Sequence, residues 1–281
     1  MLKESSLIFN QLNLKKVIVY NNGEILKRED YIVIEEPLEI RIVKETEDGT
    51  ITKSIAVTMR TPGNDIELSV GFLFSEGIIS SFEQIEKIDY FKENNVIKLK
   101  LTKGTNIDID NLSRNILTYS SCGICGASII DLIYKRVNRY PKGDFKVDKD
   151  IILSLPSMLK QSQAIFSKTG GIHASTLFDS KGNLIELRED VGRHNAMDKL
   201  LGRMLMDKKI PLDNTMVLFS GRSSFELVQK SILAGIPFIV SIGAPSSLAV
   251  ELAEAYNVTL IGFLRENKFN VYSGIERVDL K

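Results

Sequence analysis

The sequence predicts an α/β protein, and three observations carry that expectation. The last third of the chain alternates apolar runs with amphipathic stretches: 216–220, 238–242 and 258–264 read as buried strands, 225–234 and 248–256 as helices. Their short connections argue for parallel β-α-β units with right-handed crossovers, hence a mostly parallel sheet. The first hundred residues are instead strand-rich with one helix, a smaller α+β unit. The polar stretch 103–115 between the two, containing Gly104, reads as a linker, which places a small α+β N-terminal domain at 1–112 and an α/β domain at 113–281.

Within the first unit, 16–20, 31–43 and 54–60 alternate apolar and polar residues or are rich in β-branched ones, as half-buried strands are. Thr61-Pro-Gly-Asn-Asp65 is a turn that supplies a helix start; Ile66, Val70, Leu73 and Phe74 then recur at helical spacing up to Gly77, a C-terminal stop. A hairpin is expected for 87–92 and 96–102, around Glu93-Asn94-Asn95. In the second unit, 127–137 and 156–165 have helical periodicity, 174–178 and 184–191 form a hairpin around Asp179-Ser-Lys-Gly182, and a helix follows from 194 to 207.

The chain of 281 residues carries 36 lysines and arginines against 36 aspartates and glutamates, so no global charge points to nucleic acid or an anionic membrane. No apolar run is long enough to span a bilayer, and the N-terminus lacks the basic-then-apolar pattern of a secretory signal. A cytoplasmic setting is therefore expected, with any anion site local.

Such a site is expected where parallel strands end. In open α/β sheets ligands bind beyond the carboxyl ends of the strands. Three loops fall there: Ser220-Gly-Arg-Ser-Ser224, Gly243-Ala-Pro-Ser-Ser247 and Phe263-Leu-Arg-Glu-Asn267. The first two put serines, Ser246 among them, at the start of the next helix, where unpaired N–H groups favour phosphate. Arg222 and Arg265 add forked donors and fixed charge. Each piece alone has a bland reading, since a serine before a helix is most often a cap and a surface arginine is most often solvated. Convergence of three such loops favours a phosphate-bearing ligand.

Cys122 and Cys125 are the chain's only cysteines, in Tyr119-Ser-Ser-Cys-Gly-Ile-Cys-Gly126. Alone, the motif allows a redox dithiol, half of a metal site or a sulfur-handling thiol. A helix expected just after the loop lowers a thiol pKa and favours the nucleophilic thiolate, which can take sulfur from a persulfide and pass it on. Zinc would need two more ligands, and the two histidines, His173 and His194, stand well apart without a paired spacing. A cytidine-deaminase zinc site also needs His-x-Glu ahead of its cysteines, which is missing. A thioredoxin-like dithiol fits poorly in mid-chain and remains an alternative on motif alone. In Arg188-Glu-Asp-Val-Gly-Arg-His-Asn195, Asp190 and His194 fit an acid–base pair, with Arg193 and Asn195 holding a ligand; equally, Asp190 caps the turn and His194 begins a helix. Thr169-Gly-Gly-Ile-His173 fits either a turn or a substrate-facing strand entry.

Taken in order, Ser-Cys-Gly-Ile-Cys-Gly, Thr-Gly-Gly-Ile-His-Ala, Glu-Asp-Val-Gly-Arg-His-Asn-Ala-Met-Asp-Lys, Ser-Gly-Arg-Ser-Ser-Phe-Glu, Ala-Pro-Ser-Ser-Leu-Ala and Gly-Phe-Leu-Arg resemble the FdhD family of formate dehydrogenase accessory sulfurtransferases, from about Thr58 to near the C-terminus. The resemblance implies a sulfurtransferase that accepts sulfur from a cysteine desulfurase as a persulfide. It then delivers the sulfur to the molybdenum (or tungsten) bis(molybdopterin guanine dinucleotide) cofactor before insertion into apo-formate dehydrogenase. It implies Cys122 as carrier with Cys125 assisting, and Phe263, Leu264, Arg265, Glu266, Asn267 and Lys268 as the cofactor-binding stretch. It also implies a homodimer, a cytidine-deaminase-like C-terminal domain and no resident metal. The alternatives are a chaperone that only holds the molybdenum cofactor or, less readily, a dithiol oxidoreductase.

Overall fold

The strands of the first unit form where turn chemistry allows them. In a computed structural model of the chain, which describes residues 11–47, 49–105 and 140–281, β1 (Leu12–Asn21) and β2 (Glu24–Val33) make an antiparallel ribbon. Asn22 and Gly23 join them with φ of 48° and 95°, the paired positive dihedrals of an Asn-Gly hairpin turn. β3 (Glu36–Thr46) and β4 (Gly49–Arg60) follow. The apolar alternation of 31–43 thus covers two strands, because it runs unbroken across a break that is tertiary: β2 pairs with β1 alone, whereas β3 pairs with β4 and with β6 (Val96–Leu101). With β5 (Ile85–Phe91) these make a four-stranded sheet in the order β4-β3-β6-β5.

α1 (Asp65–Ser75) ends as its sequence predicts. Gly77 is left-handed, its N–H bonds to Phe74 O, and Ile78 N–H reaches back to Leu73 O, the paired bonds of a glycine C-terminal motif.

The second unit opens with β7 (Val147–Asp148), α2 (Lys149–Ser162) and the single turn α3 (Phe166–Thr169). α2 begins at Lys149 rather than 156: the Asp148 carboxylate accepts from Asp150 N–H at 2.7 Å as its cap, and Pro156 lies inside the helix. Next come β8 (His173–Asp179), β9 (Leu184–Asp190) and α4 (Arg193–Met206), close to expectation. The run β10 (Thr215–Phe219), α5 (Phe225–Leu233), β11 (Phe238–Ser241), α6 (Ser247–Ala255), β12 (Thr259–Arg265) matches the expected alternation. β13 (Lys268–Ser273) and β14 (Val278–Asp279), which pairs with β7, complete the chain.

The large sheet has the order β13-β12-β11-β10-β8-β9. Its centre, β10-β11-β12, is parallel; β13 and the β8-β9 hairpin join antiparallel at either side. The expected mostly parallel sheet is therefore mixed. The difference is the antiparallel flank: local pattern gives the β8-β9 hairpin but does not say which sheet a hairpin joins.

One core cluster runs from the small sheet (Leu38, Ile40, Leu99) through α1 and α4 to the face of the large sheet covered by α5 and α6 (Val217, Ile239, Leu260). A second lies on the opposite face under α2, around Leu155, Phe178 and Leu218. α1 and α4 cross at Gly71 and Gly202. A Cβ on Gly71 would stand 1.8 Å from Asp198 O, and one on Gly202 1.9 Å from Glu67 O, so only glycine permits this approach. The expected 127–137 helix, both cysteines and the boundary between 112 and 113 lie outside the described residues.

Candidate functional site

The three expected loops do meet at the carboxyl edge of the parallel strands. Backbone bonds lace them together: Gly243 N–H to Gly221 O at 2.8 Å, Ser246 N–H to Ser223 O at 3.1 Å, and Phe263 N–H to Gly243 O at 3.0 Å. Such close lacing needs small residues. A Cβ on Gly243 would meet Gly221 O at 2.9 Å, and one on Gly262 would meet Pro245 Cδ at 2.9 Å.

Each sequence-picked residue then has a definite place. Ser246 caps α6, accepting from Ala249 N–H at 3.3 Å. Ser224 occupies the cap position of α5 without capping it. Its hydroxyl instead meets His194 Nε2 at 3.2 Å, and the same nitrogen lies 2.8 Å from the Glu226 carboxylate. The His194 hydrogen bond holds the Glu226 carboxyl below its ordinary pKa. The start of α5 thus keeps unpaired N–H groups facing the edge, where Arg222 is exposed.

Arg265 is partly committed to architecture: one Nη donates to Ile242 O and to Leu264 O, each at 2.7 Å, tying the second loop to the third. Phe263 is 42% exposed and holds φ of +53°, a strained conformation for an aromatic residue, which displays its ring at the edge. Leu264 is fully buried, so its side chain anchors the stretch. Glu266 and Asn267 form the exposed turn between β12 and β13, and Lys268 opens β13, also exposed.

The cluster at 188–195 takes its structural alternative. Asp190 bonds the Lys199 ammonium at 2.6 Å, with both side chains fully buried. The carboxylate also accepts from Gly192 N–H, Asn195 Nδ2 and Thr61 N–H. Asn195 in turn donates to Met59 O and accepts from Thr58 Oγ1. Asp190 and Asn195 therefore pin the end of β4 to the start of α4, and His194 pairs with Glu226 instead of Asp190.

His173 does face this edge. Ser220 Oγ accepts from Ala174 N–H at 2.9 Å and lies 3.5 Å from His173 Nδ1. Burial, then the nearby Arg193 and His194 charges, push the His173 pKa down, which keeps its imidazole neutral near pH 7. Glu226 and Gln163, also at this edge, gave no separate signal: a glutamate in a first helical turn and a glutamine at a helix end are ordinary. Among the described residues no cluster of three or more acidic, histidine or cysteine side chains is arranged to hold a metal ion, and no helix is long and apolar enough to cross a membrane.

The structure is a mixed α/β scaffold with three laced loops, two helix starts and arginines at one strand edge, an arrangement whose chemistry suits an anion. The chain belongs to the FdhD/NarQ family, whose model matches residues 33–279. It is 44% identical over 278 residues to the sulfur carrier protein FdhD of Streptomyces coelicolor, covering 95% of both chains. It is 44% identical over 257 residues to that of Saccharolobus solfataricus, covering 92% of this chain and 94% of that one. A crystal structure from Desulfotalea psychrophila, described as a formate dehydrogenase accessory protein, superposes with a TM-score of 0.73 at 26% identity, over 96% of this chain and 100% of that one.

Proposed function

We propose that the protein is a sulfur carrier serving formate dehydrogenase. The observation that carries this reading is the chain-long likeness to sulfur carrier proteins; the laced edge supplies a place for the sulfur acceptor. The Cys122 thiolate attacks the outer sulfur of a cysteine desulfurase's persulfide. A new S–S bond forms at Cys122 as the old one breaks, and the desulfurase's cysteine leaves as a thiolate. Cys125 assists release. The acceptor, as bound substrate, is the molybdenum bis(molybdopterin guanine dinucleotide) cofactor, delivered afterwards to apo-formate dehydrogenase. Its pyrophosphates suit Arg222 and the uncapped start of α5, and Phe263 offers a stacking surface for guanine. The reading places the protein in the cytoplasm as a homodimer, with the 113–281 domain cytidine-deaminase-like and 1–112 a separate smaller domain.

The test pairs two readouts. GDP titration should show saturable binding weakened on the order of tenfold by Arg222→Ala, one lost charge-assisted contact. Maturation of formate dehydrogenase should fail with Cys122→Ala. Maturation intact without either cysteine, yet abolished by Arg265→Ala, would turn the reading to a cofactor-holding chaperone. Disulfide turnover with a reductase would turn it to a dithiol oxidoreductase.

A further inference from the structure

Among the described residues the β1-β2 ribbon pairs with no other strand. Only its base is held, where Leu12 and Val33 pack on Ile165 and Ile172. Beyond that base two strands stand alone, an arrangement marginal in water unless a third strand or a packed face supports it. The family match starts at residue 33, so the ribbon precedes the matched unit. Register sorts its side chains, because residues directly opposite each other share a face. The face that begins with Leu12 and Val33 carries Leu14 opposite Tyr31 near the base and Tyr20 opposite Ile25 near the tip. Between these apolar ends stand Lys16 opposite Glu29 and Ile18 opposite Lys27. Ile18, Tyr20 and Ile25 are 71%, 74% and 72% exposed, Leu14 46% and Tyr31 38%. At roughly 200 Å² per whole side chain, those fractions amount to about 600 Å² of apolar surface, close to the ~800 Å² that each partner buries in a standard stable interface.

The pattern of charges on this face decides what covers it. Turned about a twofold axis that crosses the ribbon at its middle, the face meets a copy of itself end for end. Glu29 then falls opposite the partner's Lys27, Tyr31 opposite the partner's Ile25, and Leu14 opposite the partner's Tyr20. The Lys16 stem lies on the partner's Ile18, and no like charges fall directly opposite. Ribbons running the same way would instead bring a second body to the base, where Ile165 and Ile172 already cover the face. We infer that this ribbon face is an interface between two copies of the chain, packed face to face with their ribbons antiparallel. The homodimer itself rests on the proposed function; the ribbon supplies the surface that makes it.

Sedimentation equilibrium of the full chain tests this through charge reversal. Lys27 and Glu29 are both exposed, so neither change disturbs the fold, which circular dichroism checks. Wild type should dimerise. Lys27→Glu sets acid against acid and Glu29→Lys sets base against base, at two symmetry-related contacts each. Either variant alone should weaken the dimer on the order of a hundredfold, tenfold per contact. Mixed in equal amounts, the two variants should associate again, because every contact of the mixed pair joins an acid to a base. A wild-type monomer, a dimer indifferent to both reversals, or variants that do not recombine when mixed would each overturn the interface. Sulfur on Cys122 is read separately by mass: a monomer that loads sulfur overturns the interface and leaves the sulfur-carrier reading standing, whereas a recombining dimer that takes none does the opposite.

Discussion

At the scale of single residues, much of the charge in this protein is structural. Lys199 and Asp190 are both out of water, and the carboxylate's other bonds join two distant stretches of chain. Lys199→Met strands Asp190 without its cation, so denaturant unfolding should show a loss of about 3–5 kcal/mol; replacing Asp190 by Asn as well should cost less than the two single changes added. Arg60 and Asp65 form a similar pair, at 2.7 Å, with Tyr90 also bonded to Asp65. Burial and that carboxylate push the Tyr90 pKa up to about 12, so tyrosinate absorbance from this ring should appear only near that pH. His173 titrates the other way. Its folded pKa lies below the unfolded value of about 6.5, so acid favours the unfolded chain: the stability it allows above that pH is lost as pH falls through it toward the folded pKa. Stability measured between pH 7.5 and 5.5 should therefore fall less steeply in His173→Gln than in wild type. Unchanged steepness would contradict a buried, neutral imidazole.

Elements were legible where their signals are local. The glycine stop after α1 and the alternation from β10 to β12 follow from dihedral preference and periodicity, whereas the equally local Asn22-Gly23 turn, and with it the start of β2, is absent from the sequence expectation. The start of α2 was hidden by an interior proline, and the division between β2 and β3 by an apolar pattern that does not pause. The α1–α4 crossing was invisible for another reason. Gly71 and Gly202 lie mid-helix, where sequence rules see only a helix-weakening residue, and their use appears only when the two backbones are set side by side. Gly71→Ala should separate the helices and cost at least about 1–3 kcal/mol despite alanine's better helix propensity. A melting temperature equal to or above wild type would show that the crossing relaxes freely.

For the whole molecule, the edge is legible in the sequence: the loops after β10, β11 and β12 are expected together because parallel strands finish on one side. Which of their residues stay free for a ligand was not legible. Arg265 proves to be tied to backbone carbonyls and Ser224 to a histidine thirty residues earlier in the chain, contacts that depend on tertiary placement. Arg222 and Phe263 remain displayed. The account's central claim, sulfur carriage on Cys122, is tested most directly by intact-protein mass after incubation with a cysteine desulfurase and cysteine. The account predicts one added sulfur atom on wild type, removed by reductant and absent from Cys122→Ala. An unchanged wild-type mass beside an active desulfurase control would contradict it.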